Sequence, residues 1–128
     1  MLEFKQQRNN EFYSVCKQII DKSDHVNIRH IIKCAVFNTA SSFFLSETRI
    51  AKIIRAPLTE CPKSEAKANL FNMIKRLYFE EKMTHPQMSA EAIAKNIIFY
   101  RSAPRFYISE STAINIFYNE LNKRKLAL

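Results

Sequence analysis

Glycine is absent from the 128 residues of this chain, and its absence restricts how the backbone can turn. Turns that need a positive φ are left to Asn, Asp or longer connectors. The glycine-containing two-residue loops that join β-strands are unavailable, which argues against an all-β fold. A glycine-rich phosphate-binding loop is excluded for the same reason. Helices with capped ends are affected least, so the composition favours an all-α protein.

Cysteine is scarce, and Cys16, Cys34 and Cys61 are an odd number with no close pair. This pattern is typical of neither a disulfide scaffold nor a zinc site. We expect Cys16 and Cys34 on apolar helix faces as small hydrophobic residues, and Cys61 in a linker. His30 lies one turn before Cys34 and could form half of a metal site, but a structural histidine beside a buried thiol is favoured.

Catalytic signatures and long apolar runs are also missing. No Ser-His-Asp or Cys-His arrangement has supporting local sequence, so we expect no enzymatic activity, no metal and no cofactor. No stretch reaches the roughly 20 apolar residues that cross a membrane. The first residues are charged and lack the apolar centre of a signal peptide. The expected location is cytoplasmic, with no membrane partner.

Acidic residues are outnumbered, because 12 Asp and Glu accompany 20 Lys and Arg and leave a formal net charge of +8. Residues 1–55 carry nine basic and five acidic groups, and residues 56–128 carry eleven and seven, so both parts are equally basic. The excess is therefore not a single tail. A polyanionic partner is favoured, most often nucleic acid, although a basic composition can also serve solubility alone.

Apolar residues recur at helical spacing along most of the chain. They predict six helices, over residues 10–22, 26–38, 46–55, 64 to 82 or 83, 89–100 and 109–121. Pro57 and Pro62 stop the third helix and mark a linker. We predict an all-α single domain, 1–128, built as two tandem three-helix units of helix-turn-helix type, residues 1–58 and 64–125.

A repeat supports this division. Residues 34–55 and 97–118 align without gaps at an offset of 63 residues. Five positions are identical, and five more are conservative matches such as Phe44 with Tyr107. The identical pairs are Ala40/Ala103, Phe43/Phe106, Ser46/Ser109, Glu47/Glu110 and Ile53/Ile116. An internal duplication with approximate two-fold symmetry follows.

The repeated segment predicts a connector and a helix start. Ser46 and Ser109 stand where N-cap residues belong, each followed by a glutamate at the positive end of a helix. The aromatic residues before them, 43–44 and 106–107, are favoured as core residues of the unit. The alternative is that they form an exposed strip on which a partner docks.

Arg49, Lys52 and Arg55 recur every three residues along the third predicted helix, so they share one solvated side. A three-helix unit with this third helix resembles a helix-turn-helix protein, in which that helix enters the major groove. Arg suits guanine edges, and both Arg and Lys suit phosphates. The link before this helix is about seven residues, which is longer than the usual three or four.

In the second unit, the matching positions are hydrogen-bonding rather than cationic: Thr112, Asn115 and Tyr118. Asn115 can pair with adenine. The charge of this unit would come from Arg101, Arg105, Lys123, Arg124 and Lys125. We predict a regulatory, non-enzymatic DNA-binding protein, with RNA as the other polyanion that fits.

A protein-interaction module remains the alternative function. Fifteen aromatic residues, ten Phe and five Tyr, leave some beyond the needs of a core. The simplest form is a homodimer that buries Phe12, Tyr13 or Tyr118. Such a protein would have no nucleic-acid role.

The segment Ala-Pro-Arg-Phe-Tyr-Ile-Ser, residues 103–109, resembles one in small uncharacterised bacterial proteins, some of which are carried by mobile elements. The resemblance covers the last third of the chain at most. It implies no known activity and assigns no site residue. A mobile-element setting would favour DNA binding or regulation.

Overall fold

The computed structural model describes residues 2–23, 27–57 and 62–126. Six α-helices account for most of them: α1 Leu2–Asp21, α2 Ile28–Ala35, α3 Glu47–Arg55, α4 Glu65–Thr84, α5 Ala90–Tyr100 and α6 Glu110–Leu126. The predicted all-α fold with six helices is confirmed. The bounds differ most at three places: α1 already begins at Leu2, α2 is confined to Ile28–Ala35 within the predicted 26–38, and α6 continues past Leu121 to Leu126. Across the described ranges, no helix combines the length and apolar character needed to cross a membrane.

Both serine caps of the repeat are confirmed. The backbone N–H of Arg49 donates to Ser46 Oγ at 3.1 Å, and that of Thr112 donates to Ser109 Oγ at 3.2 Å. Each bond satisfies a donor that the first turn of a helix leaves free. The local sequence therefore sets where α3 and α6 begin.

Ser23 and Asp24 lie just before the predicted second helix, and by residue type either is a candidate cap for it, but a different residue caps α2. Asn27 is the cap, and its side-chain oxygen accepts from the backbone N–H of His30 at 3.1 Å. Ser23 instead donates from Oγ to the carbonyl of Ile19 at 2.8 Å, at the end of α1. Asp24 lies outside the described residues. Asn27 succeeds because it directly precedes the first helical residue.

The helices pack in two groups of three that do not follow chain order. α1, α2 and α6 contact one another, and α3, α4 and α5 contact one another. The third helix of each predicted unit thus lies on the first two helices of the other unit. The division into segments 1–58 and 64–125 remains a prediction about the sequence, since packing crosses it and joins both segments in one core.

The two connectors meet at the centre of the molecule. Ala40 and Ala103 exchange backbone hydrogen bonds, N–H to O=C, at 2.9 and 3.0 Å, as in one antiparallel bridge. These two alanines are equivalent positions of the repeat. A reciprocal pair of bonds between equivalent residues is what a two-fold axis through this bridge would produce, so the structure is compatible with the predicted symmetry.

Aromatic pairs beside the bridge follow the same relation. The rings of Phe43 and Tyr107 stack with centroids 6.0 Å apart, and those of Phe44 and Phe106 stack at 6.4 Å. The 63-residue offset converts one pair into the other. Phe43 and Phe106 are buried, which confirms the core interpretation for them, whereas Phe44 and Tyr107 are half-buried.

Two of the three aromatic residues proposed for a homodimer surface belong to the core. Phe12 is fully buried against the ring of Phe106, and Tyr13 is buried on Phe117 at 5.3 Å. A homodimer that buries Phe12 or Tyr13 is therefore wrong, because both side chains are already covered inside the monomer. Tyr118 is half-buried.

Cys16 is a core residue as predicted, and burial raises the pKa of its thiol to about 12. Cys34 is exposed, which corrects the expectation of a buried thiol. The buried stripe of α2 runs through Ile31, Ile32 and Ala35, so position 34 falls at its solvated edge. Cys61 lies outside the described residues.

Candidate nucleic-acid interface

The predicted cationic side of α3 lies at the edge of an open groove. Arg49, Lys52 and Arg55 are all exposed, because Ile50 and Ile53 take the buried side of the helix. Together with Ile53 and Ala56, and with Phe71 of α4, the three cations line a depression of about 370 Å³, which we call the first groove. Its two walls come from α3 and α4, which belong to different predicted units.

Two of these cations have neighbours that orient them. The guanidinium of Arg49 lies over the ring of Phe71, 5.8 Å from its centroid. Arg55 forms an ion pair with Glu91 at the start of α5, and both side chains are more than half exposed. Lys52 forms no ion pair within the described part of the chain. The first groove therefore keeps at least two cations available to a ligand.

A second groove of about 440 Å³ lies between α6 and α1. Its lining is mainly amides, one hydroxyl and cations. The polar residues that face it are Lys5, Arg8, Asn9, Thr112, Asn115, Asn119, Glu120, Asn122 and Lys123. The predicted residue Asn115 is exposed here, and so is Thr112, its neighbour one turn earlier.

The two grooves are counterparts under the repeat. Five of the six residues that line the first groove have their 63-residue equivalents in the lining of the second. These pairs are Arg49/Thr112, Lys52/Asn115, Ile53/Ile116, Ala56/Asn119 and Phe71/Arg8. At these equivalent positions, α3 therefore places cations in the first groove, and α6 places hydrogen-bonding residues in the second groove.

A smaller pocket of about 180 Å³ joins the two grooves, and we call it the connector pocket. It shares Arg49 with the first groove and Arg8 with the second, and it adds Lys67 and Arg105. The guanidinium of Arg105 lies 4.6 Å from the ring centroid of Phe37. We call the first groove, the connector pocket and the second groove together the basic strip.

The basic strip is strongly positive. Within the described part of the chain, eight cationic side chains line it, against a single carboxylate, Glu120. Glu120 is only 2% exposed and accepts from Arg124 at 2.9 Å and from Lys123 at 3.2 Å. Burial alone would raise the pKa of Glu120, but the hydrogen bonds and charges of these two cations lower it. Glu120 is thus ionised and already neutralised near pH 7.

The structure brings together most of the predicted residues. Arg49, Lys52, Arg55, Arg105, Asn115 and Lys123 line the basic strip. Arg101 is instead paired with Glu81 of α4 at 3.0 Å. Arg124 is held by Glu120 and lies 4.0 Å from the ring centroid of Tyr13, while Lys125 is exposed near the end of α6.

Three cations of the basic strip were not predicted: Lys5, Arg8 and Lys67. The predicted first helix begins at residue 10, so Lys5 and Arg8 lie outside every predicted helix. Their spacing of three was the available signal, since it places both on one side of a helix. Nothing in the local sequence of α4 indicates that Lys67 lies beside the connectors.

Other chemistry has little support among the described residues. No group of three or more His, Cys, Asp or Glu side chains there could hold a metal ion. His30 Nε2 and Cys34 Sγ are 3.6 Å apart on the exposed side of α2, without a third ligand.

Comparison of the chain with protein-family models, with curated proteins and with solved structures finds no match.

Proposed function

We propose that this protein binds nucleic acid, duplex DNA in the first place, along the basic strip, as a non-enzymatic regulatory protein. The observation that carries the proposal is the continuity of the strip. Among the residues that the structure describes, eight cations from four helices and a connector line three adjoining depressions, and the single carboxylate is already paired. Such a surface suits a regularly spaced polyanion.

The two grooves suit different parts of a nucleic acid. Arg49, Lys52 and Arg55 in the first groove suit phosphate oxygens, which fix position without reading sequence. Asn115 and Thr112 in the second groove suit base edges, since an amide can form two hydrogen bonds with adenine. In this proposal the first groove anchors the ligand and the second selects among sequences.

The test compares two triple variants of equal charge. Arg49→Ala/Lys52→Ala/Arg55→Ala removes the cations of the first groove. Its control replaces three exposed cations outside the strip: Lys22→Ala/Arg29→Ala/Lys95→Ala. Fluorescence anisotropy with a labelled duplex, repeated over a range of salt concentrations, measures affinity and salt dependence together.

The groove variant should bind about tenfold more weakly or worse, and its log–log salt slope should fall by about 2 to 3. The control loses the same net charge, so it should keep most of the affinity and of the slope. Equal losses in both variants would mean that net charge attracts DNA without a defined site. Absence of binding by the natural chain at low salt would refute the proposal.

A second candidate function is protein binding, supported by exposed apolar side chains. Phe99 and Tyr100 at the end of α5 are 73% and 81% exposed, and Met83 near the end of α4 is 84% exposed. Sedimentation velocity over a wide concentration range tests self-association. A monomer at all concentrations would exclude the homodimer form.

A further inference from the structure

The connector pocket differs from the two grooves in combining cations with an apolar lining. Arg8, Arg49, Lys67 and Arg105 contribute to its wall, and none of them forms an ion pair within the described ranges. Most of the other lining residues are apolar or aromatic: Ala40, Phe43, Phe44, Leu45, Leu70 and Phe106. Among the described residues the lining thus holds four cations and no carboxylate, a combination that favours an anionic ligand.

Arg8 shows this most clearly. Its side chain is half-buried, and its guanidinium donates to the side-chain oxygen of Asn9 at 3.2 and 3.0 Å rather than to a carboxylate. Partial burial removes water from the cation and lowers the pKa of Arg8. A partly desolvated cation with a neutral partner is stabilised when an anion binds beside it.

The aromatic wall of the pocket is held in an unusual conformation. Phe44 has φ of 54°, in the left-handed region that residues with a large side chain avoid. Its N–H donates to Ser42 Oγ at 3.0 Å, which stabilises the turn, and its ring stacks on Phe106. Both Phe44 and Tyr107 remain half-exposed where they line the pocket. The connector thus presents two aromatic rings to a ligand from a fixed backbone.

Size narrows the ligand further. At about 180 Å³ the pocket is below the roughly 300 Å³ at which sites for drug-sized molecules begin. It can take one flat ring system, while a charged group attached to that ring remains at the cationic wall. A nucleotide has this division between an apolar ring face and an anionic phosphate.

We propose that the connector pocket receives one unpaired nucleotide. Its base would stack beside Phe44 and Tyr107, and its phosphate would lie among Arg8, Arg49 and Lys67. The nucleotide has two possible sources. One is an unpaired position in nucleic acid, and this source rests on the function proposed above. The other is a free mononucleotide, which has the same chemistry and does not depend on that function.

The experiment uses the full chain and three labelled duplexes of one sequence. The first is fully paired, the second carries a single bulged adenosine, and the third carries an abasic bulge of equal length. The abasic duplex bends as easily as the bulged one but has no base to insert, so it is the matched control for the ligand. Adenosine monophosphate is titrated separately as the free nucleotide.

A pair of variants and a crosslinking measurement locate the site. Phe44→Asn removes the ring and supplies a residue that tolerates positive φ, and Phe99→Asn is its control on an exposed phenylalanine of α5. 5-Iodouridine at the bulge of the natural complex is photocrosslinked, and the attached residue is identified by mass spectrometry. The crosslink keeps the proposal testable even if Phe44→Asn fails to fold.

The adenosine bulge should bind about tenfold more tightly than the abasic bulge, the scale of one stacked base. Phe44→Asn should abolish that ratio, Phe99→Asn should keep it, and the crosslink should fall on Phe44 or Tyr107. Equal affinity for the two bulged duplexes, or crosslinks only to other residues, would overturn the proposed nucleotide site. Binding of the fully paired duplex would in that case still support the proposed function. Binding of the mononucleotide without any duplex binding would keep the pocket and overturn the function. No binding of any probe would overturn both.

Discussion

Replacing Phe106 by alanine tests whether the repeated connectors are part of the core. The side chain is 2% exposed, its ring meets Phe12 edge-to-face at 5.1 Å, and it stacks on Phe44 at 6.4 Å. The backbone N–H of Phe106 donates to the carbonyl of Val36 at 2.8 Å, and alanine keeps this bond. The substitution therefore removes the ring and leaves the connector attached to the end of α2.

The expected cost is large because the ring is enclosed by the core on several sides. Removing a buried phenylalanine ring costs about 3–5 kcal/mol in unfolding free energy, from lost burial and the cavity left behind. In a chain of 128 residues, this corresponds to a fall in Tm of about 10–20 °C. Urea titration followed by circular dichroism at 222 nm measures the free energy, and a thermal melt measures the Tm.

Phe99→Ala is the matched control, because it deletes the same ring from a side chain that is 73% exposed. Its effect should stay within about 0.5 kcal/mol. A cost below about 1 kcal/mol for Phe106→Ala would refute the core interpretation. It would also revive the alternative that the connectors are a docking surface.

Two further predictions concern Glu120 and the serine caps. Burial raises the pKa of Glu120, but the bonds and charges of its two cationic partners lower it below the ordinary value of 4.5, so its ionised form stabilises the fold above that pH. Glu120→Gln should therefore lower the free energy of unfolding by about 1 kcal/mol at pH 7, and by progressively less as the pH falls through the folded pKa. Urea titrations between pH 7 and pH 3 measure this difference, and a pH-independent difference would contradict the prediction. Ser46→Ala and Ser109→Ala should each cost about 1 kcal/mol in urea titration. Ser14→Ala, at an exposed position inside α1, should cost nothing, and equal effects at all three serines would disprove the caps.

Local features of the chain were predictable because neighbouring residues generate them. Helix periodicity, the caps at Ser46 and Ser109, and the shared side of Arg49, Lys52 and Arg55 all follow from residues within a few positions of one another. The largest error of this local kind was the start of α1, which lies at Leu2 and not at residue 10. Cys34 was assigned to the buried face of α2 but lies next to that face, on the exposed side. The local pattern of apolar residues does not distinguish these two positions.

The positive φ of Phe44 was not predicted. In a chain without glycine, turns that need a positive φ were expected at Asn or Asp, or to be replaced by longer connectors. The ring of Phe44 stacks on Phe106, which is 62 positions away along the chain. That tertiary contact favours a phenylalanine where local preference alone would choose another residue.

The six helices, the connectors between them and the repeat are encoded locally, since they depend on interactions along the chain. Long-range packing places α3 on α4 and α5, and α6 on α1 and α2. The basic strip depends on that exchange, because it brings Arg49 beside Phe71 and Arg8 beside Thr112. Helical spacing specifies which side of a helix is apolar, but it does not specify which of two similar apolar partners that side will cover.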